Sequence, residues 1–201
     1  NTILAPVFPE AAATGRFFVT LCDWRGAKCV VAGTGYTGER GVEIAVPAAS
    51  AGSLWDALIG AGITPAGLGA RDTLRLESAL PLHGQELGRG ITSLQADLGW
   101  VVAWEKPTFI GKDAALSERS DGVTRRLFGI ATDGRRPART GCAVLVNGVA
   151  VGEVTSGNFS PILGHGIALA FLPPTTAEGD TVDIEVRRKA LAGRVVATPF
   201  V

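Results

Sequence analysis

The chain has 201 residues, 46% of them hydrophobic, enough apolar material for one sizeable core or two smaller ones, and two folded units are expected. Lysine plus arginine equals aspartate plus glutamate at 19 each, so no single-sign field gathers nucleic acid or anionic lipid. No apolar run approaches the ~20 residues of a membrane span, and no basic segment followed by an apolar one opens the chain, so no membrane partner and a cytoplasmic location are expected.

Along the chain, Phe17 to Leu21 and Lys28 to Ala32 are expected to form a hairpin around Asp23-Trp24-Arg25-Gly26, because β-branched and aromatic residues flank a turn-forming cluster. The alternation of Val42, Ile44 and Val46 with Glu43 and Ala45 predicts a half-buried strand stopped by Pro47. Leu54, Trp55, Leu58 and Ile59 recur at helical spacing after Ser50 or Ser53 as the cap, with Gly60 and Gly62 as the stop. A second helix is expected from Gly69 to Glu77, with Arg71 and Arg75 one turn apart on one face. Ser93 to Leu98 adds a helical turn, Trp100 to Trp104 a strand, and Gly111 to Arg119 a third helix.

The polar stretch from Ser117 to Arg126 is taken as the boundary, giving units at 1–121 and 122–201. Beyond it helical periodicity gives way to short strands at 128–131, 143–146, 149–154, 167–172, 182–187 and 193–198, the pattern of a small barrel or sandwich. Asn147-Gly148 is the strongest hairpin signal, since a type I′ turn needs positive φ at both positions.

Cys22, Cys29 and Cys142 are odd in number and share no CxxC spacing, and His83 and His165 stand alone. Neither a disulfide framework nor a metal site is expected; the thiols read as isolated. The chain opens at Asn1 and has no methionine, so it is expected to be a piece of a longer protein. A boundary at Asn1 would leave an unpaired strand edge, and with it a tendency to self-associate.

Gly33, Gly35 and Gly38 satisfy GxGxxG. A dinucleotide loop must open a helix whose amides face the pyrophosphate, whereas these glycines lead into the alternating strand of Glu43, so the nucleotide reading is rejected.

Gly35-Tyr36-Thr37-Gly38-Glu39-Arg40-Gly41-Val42-Glu43-Ile44 and Gly67-Leu68-Gly69-Ala70-Arg71-Asp72-Thr73-Leu74-Arg75-Leu76-Glu77 resemble signature stretches of the glycine cleavage T-protein family, the tetrahydrofolate-dependent aminomethyltransferases. Pro81-Leu82-His83-Gly84, Leu98-Gly99-Trp100 and Phe109-Ile110-Gly111-Lys112 extend the match. Thr155-Ser156-Gly157 through Ser160-Pro161, then Val186-Arg187-Arg188-Lys189 and Pro199-Phe200-Val201, carry it to the last residue. The resemblance implies an α+β chain: a partial folate-binding region with a ferredoxin-like antiparallel sheet over 1–121, then a C-terminal antiparallel β-barrel over 122–201.

The same resemblance implies site residues. A pterin offers an exocyclic amine and a ring N–H side by side, which a carboxylate accepts with both oxygens; the matching glutamate is Glu43. Arg71 matches a folate-contacting arginine, serving either the pterin carbonyl or the glutamate tail. Tyr36 and Trp100 match aromatic positions of the folate cleft, although core packing competes as an explanation of Trp100. Trp24, Trp55 and Trp104 are assigned to packing, and Arg75 and Glu77 to a local ion pair on the helix. The family's catalytic aspartate belongs to an N-terminal portion outside this chain, so no catalytic residue is assigned here.

The implied reaction transfers an aminomethyl carbon from the lipoyl-carrying H-protein to tetrahydrofolate with release of ammonia, in glycine catabolism and one-carbon metabolism. His83 stands where the family often has tyrosine, and Arg40 where an acidic residue is common. Two alternatives share most of the motifs. The folate domain of a dimethylglycine or sarcosine oxidase would carry a flavin domain upstream. A folate-binding iron–sulfur cluster assembly factor would carry a cysteine in the segment that reads Lys-Pro-Thr-Phe-Ile-Gly-Lys from Lys106 to Lys112, which argues against it.

Overall fold

The computed structural model describes residues 2–201. The chain is α+β and divides into two compact units, residues 1–74 and 75–201.

The first unit opens with a short helix, α1 (Pro9–Ala13), begun by proline at its first position, where no amide hydrogen bond is lost. Strands β1 (Val19–Trp24) and β2 (Ala27–Ala32) form the expected hairpin, closed by a tighter turn than the four-residue cluster suggested. Arg25 and Gly26 alone make it, both at positive φ (50° and 88°), and the amide of Gly26 donates to Asp23. Strand β3 (Glu43–Ala45) pairs antiparallel with β2, so the sheet order is β1-β2-β3.

Helix α2 (Ala48–Gly60) starts at Pro47, not at Ser50 or Ser53. The proline that stops β3 is itself the helix entry, with an extended ψ of 142°, and Ser53 instead accepts a hydrogen bond from the Trp24 indole at 3.4 Å. One face of the sheet packs on the helices through Phe8, Trp24, Cys29, Val31 and Leu54, with Cys22, Val42 and Ile44 at the margin of this core. Trp24 joins the core as expected, but Trp55 is 56% exposed and does not. Helix α3 (Leu68–Glu77) begins within this unit.

In the second unit, Gly99–Val101 forms a 3₁₀ turn in place of the strand expected at Trp100 to Trp104. The amide of Val101 donates to Leu98 and that of Val102 to Gly99, and the Trp104 indole also donates to the Gly99 carbonyl at 2.9 Å. These local bonds occupy groups that a strand would have offered to a neighbour. Helix α4 (Lys112–Asp121) follows Gly111.

Six strands then close a barrel: β4 (Arg126–Thr132), β5 (Ala143–Val146), β6 (Val149–Phe159), β7 (Gly166–Leu172), β8 (Thr181–Val186) and β9 (Lys189–Val196). Their order around it is β4-β7-β6-β5-β8-β9, all antiparallel, with β9 returning to β4. Asn147 and Gly148 join β5 to β6 with φ of 52° and 79°, as the turn chemistry requires. The last strand begins four residues before the expected 193, because Arg187 and Arg188 make a two-residue turn at φ 53° and 62° without any glycine to announce it.

Period-two alternation fills the barrel with Val144, Val154, Ala168, Ala170, Leu172, Ile184 and Val195. The opposite face of β7, Ile167, Leu169 and Phe171, packs with Leu76 and Leu127 into a second cluster. Buried on both faces, β7 reads in sequence as a continuous apolar run.

Candidate functional site

The loop of residues 33–42 leads from β2 into β3, so the glycines open a strand, as the alternation around Glu43 predicted, and not a helix. Gly33 is explained by backbone packing: a Cβ there would lie 1.9 Å from the carbonyl oxygen of Gly15. Of the other glycines in this loop, Gly38 takes positive φ, at 78°. From this loop comes Tyr36, and the guanidinium carbon of Arg71, on the first turn of α3, stands 4.6 Å over its ring. Two of the residues singled out from sequence are therefore in direct contact.

Glu43 opens β3 and faces away from the core that Val42, Ile44 and Val46 join. Its Oε2 accepts a hydrogen bond from the Thr34 hydroxyl, which ties the two ends of the loop carrying Tyr36. No sequence signal marked Thr34; its role comes from the strand pairing that sets Ala32 opposite Glu43. The same register builds the outer face of the sheet, with Val19, Ala32 and Glu43 in one row and Leu21, Val30 and Ala45 in the next. Val19, Leu21 and Val30 are 66%, 79% and 42% exposed on that face. Glu43 is thus an exposed carboxylate at the margin of an exposed apolar face.

On the opposite side of β3, Val42, Ile44, Leu58 and Ile63 line an apolar cleft of about 630 Å³ with Ile3, Leu4 and Arg40. Glu43 is not among its walls.

Trp100 belongs to the second unit. It is 80% exposed, so core packing does not account for it. It lines a cleft of about 400 Å³ with Leu80, Pro81, Asp97, Leu98 and Pro199.

The solvated helical ion pair expected for Arg75 and Glu77 is overturned: both are buried, at 2% and 3% exposure. Arg75 lies 3.4 Å from Glu86 and donates to Ser156 on β6 at 2.8 Å. Glu77 accepts a hydrogen bond from Ser160, and its carbonyl accepts the amide of Phe200. Although Arg71 and Arg75 share a helical face, the first is exposed over Tyr36 and the second is buried at the barrel. Glu86 gave no signal, since a carboxylate in a Gly-rich turn region is ordinarily solvated.

Among the described residues no cluster of three or more potential metal ligands occurs, and no helix is long and apolar enough to cross a membrane.

A family model described as the GCVT N-terminal domain matches residues 2–106, and one described as the glycine cleavage T-protein C-terminal barrel domain matches residues 125–201. An aminomethyltransferase of Synechococcus elongatus is 45% identical over 193 residues, covering 95% of this chain and 52% of its own length. One of Frankia alni is 49% identical over 183 residues, covering 89% of this chain and 50% of its own. The crystal structure of glycine cleavage system aminomethyltransferase T from Bartonella henselae superposes with a TM-score of 0.88 at 34% identity, over 98% of this chain and 56% of that one. The chain spans about half the length of the curated relatives it matches. With both family models matched in order along the sequence and the barrel closed where the second one lies, the chain belongs to the glycine cleavage T-protein family.

Proposed function

We propose that this chain supplies folate-holding residues of a tetrahydrofolate-dependent aminomethyltransferase of the glycine cleavage system, working in the cytoplasm with the lipoyl-carrying H-protein. The observation that carries the reading is Glu43: an exposed carboxylate, oriented by Thr34 and set at the edge of the apolar row of Val19 and Ala32. A flat ring with paired N–H donors at one edge matches that surface, with the carboxylate accepting both donors and the apolar row meeting the ring. The Thr34 bond occupies one lone pair of Oε2, so both carboxylate oxygens retain acceptor capacity.

Tetrahydrofolate, when bound, supplies the nucleophilic nitrogen that takes up the aminomethyl carbon as ammonia leaves. The part of these residues is positioning. Glu43 fixes the ring edge, and Arg71, steadied over Tyr36, presents a guanidinium fork to the pterin carbonyl or to the glutamate tail. For Trp100 the support is the family match of Leu98-Gly99-Trp100 together with an indole exposed in its own cleft. No catalytic acid or base is assigned among these residues. We further propose the domain division at 121/122; its support is that the two family models match on either side of it, at 2–106 and 125–201.

Glu43→Ala in the intact protein tests the reading. The expected loss of tetrahydrofolate affinity is about 1.5–3 kcal/mol, the range for a hydrogen bond to a charged acceptor. Affinity equal to that of the parent protein removes Glu43 from the site.

A further inference from the structure

The turn of Arg25 and Gly26 is symmetric about two cysteines. Cys22 stands three residues before it and Cys29 three after, and the register makes them direct cross-strand partners. Both side chains lie on the core face of the sheet, Cys29 within the core and Cys22 packed against its margin. Cys29 is buried at 2% exposure, whereas Cys22 is half-buried and reachable from solvent. Directly opposed residues of an antiparallel pair have Cα atoms about 4.5–5.5 Å apart, inside the ~4.4–6.8 Å that a disulfide bridges.

We propose that Cys22 and Cys29 form a reversible dithiol–disulfide site, in which Cys22 is the attacking thiol and Cys29 the resolving one. The oxidant is a low-molecular-weight disulfide. The Cys22 thiolate attacks one sulfur of that disulfide, forming a mixed disulfide and expelling a thiolate. The Cys29 thiolate then attacks the Cys22 sulfur, closing the Cys22–Cys29 bond and expelling the second thiolate. Two protein thiols lose two protons and two electrons, and the oxidant becomes two small thiols. The assignment of roles follows from access alone: the half-buried sulfur meets the oxidant first, and the buried one needs only its cross-strand neighbour. Cys142, on the segment before β5, has no cysteine among its strand partners and serves as the internal control.

The site has a physical consequence for the sheet. A bridge between β1 and β2 clamps a hairpin whose central strand, β2, also carries β3 and Glu43. Cys29 donates weakly to the carbonyl of Ala27 at 3.2 Å in the reduced state, and this contact is given up when the bond closes.

The test is oxidation of the folded 201-residue chain by glutathione disulfide, followed by alkylation, tryptic digestion and mass spectrometry. Trypsin cuts after Arg16, Arg25, Lys28 and Arg40, so the bridge links peptide 17–25 to peptide 29–40. The expected result is that linked pair, a mass loss of about 2 Da, and a fall from three titratable thiols to one. Dithiothreitol restores all three. Cys22→Ser is expected to leave Cys29 reduced, and Cys29→Ser to trap Cys22 as a stable glutathione adduct. Persistent glutathionylation of Cys22 in the parent chain, bridging to Cys142, or a linked pair that forms only in urea each overturns the proposal.

Discussion

The guanidinium of Arg75 and the carboxylate of Glu86 meet 3.4 Å apart with side-chain exposures of 3% and 0%. Arg75 also donates to Ser156 and to the Leu80 carbonyl, and Glu86 Oε2 accepts the Leu82 amide at 2.8 Å. Among the described residues Glu86 Oε1 is buried without a hydrogen-bond partner, so the pair satisfies most of its polar atoms but not all. Both charges have been taken out of water, so the pair's net contribution is small beside the cost of removing one partner and leaving the other buried.

Glu86→Ala therefore leaves a buried cation without its counter-charge. Urea unfolding is expected to show a loss of about 3–5 kcal/mol. Replacing both partners together, Arg75→Met with Glu86→Leu, is expected to recover most of that loss, since an apolar pair fills the space without desolvated charge. A double variant as unstable as the single one sinks this account of the pair.

Arg71 and Tyr36 are coupled through the ring face, and the coupling is accessible to a double-mutant cycle. Arg71→Ala, Tyr36→Leu and the double change are expected to reveal an interaction of about 0.5–1 kcal/mol, the size of an exposed cation–π contact. Additive single effects show that the contact has no energetic content.

Trp100 separates stability from binding. At 80% exposure, its removal is expected to change unfolding free energy by less than about 0.5 kcal/mol. In the intact protein, Trp100→Ala is expected to cost about 0.5–1.5 kcal/mol of tetrahydrofolate affinity through the lost ring contact. A large stability loss with affinity unaltered reverses the assignment.

In the barrel, Gly152 on β6 pairs with Val144 of β5 and lies against the end of β7. A Cβ there would lie 2.1 Å from the Phe171 carbonyl oxygen and 2.7 Å from a Leu172 methyl, and the first of these is backbone that cannot rotate away. Gly152→Ala is expected to cost about 1–3 kcal/mol by overpacking, read as a lowered urea midpoint; an unchanged midpoint shows that the ladder gives way freely.

The Cys22 thiol is pushed above the ordinary thiol range, first by burial and then by the neighbouring Cys29, Glu10 and Asp23. All four disfavour the thiolate, so less of it is present at neutral pH than in a free thiol. In a Cys142→Ser background, the rate of Cys22 alkylation is expected to rise with a midpoint more alkaline than that of an unstructured cysteine peptide. A midpoint at or below the peptide's contradicts the environment described for β1 and α1.

Local chemistry made much of this molecule legible in its sequence. Asn147-Gly148 fixed a turn because so few dipeptides accept two positive φ angles, and the alternation around Glu43 gave both its strand and its outward face. The ordered motifs from Gly35 to Val201 carried the family. These features depend on residues within a few positions of one another, where backbone sterics and side-chain period act directly. Tertiary structure alone decided what depends on register and burial. It took Arg75, Glu77 and Glu86 out of water, gave Glu43 its Thr34 partner, put Arg71 over Tyr36, and turned two unremarkable cysteines into neighbours across a hairpin. Those outcomes require partners brought together from distant parts of the chain, or a register settled by one tight turn, and no local propensity encodes a charge's burial before the surface that buries it exists.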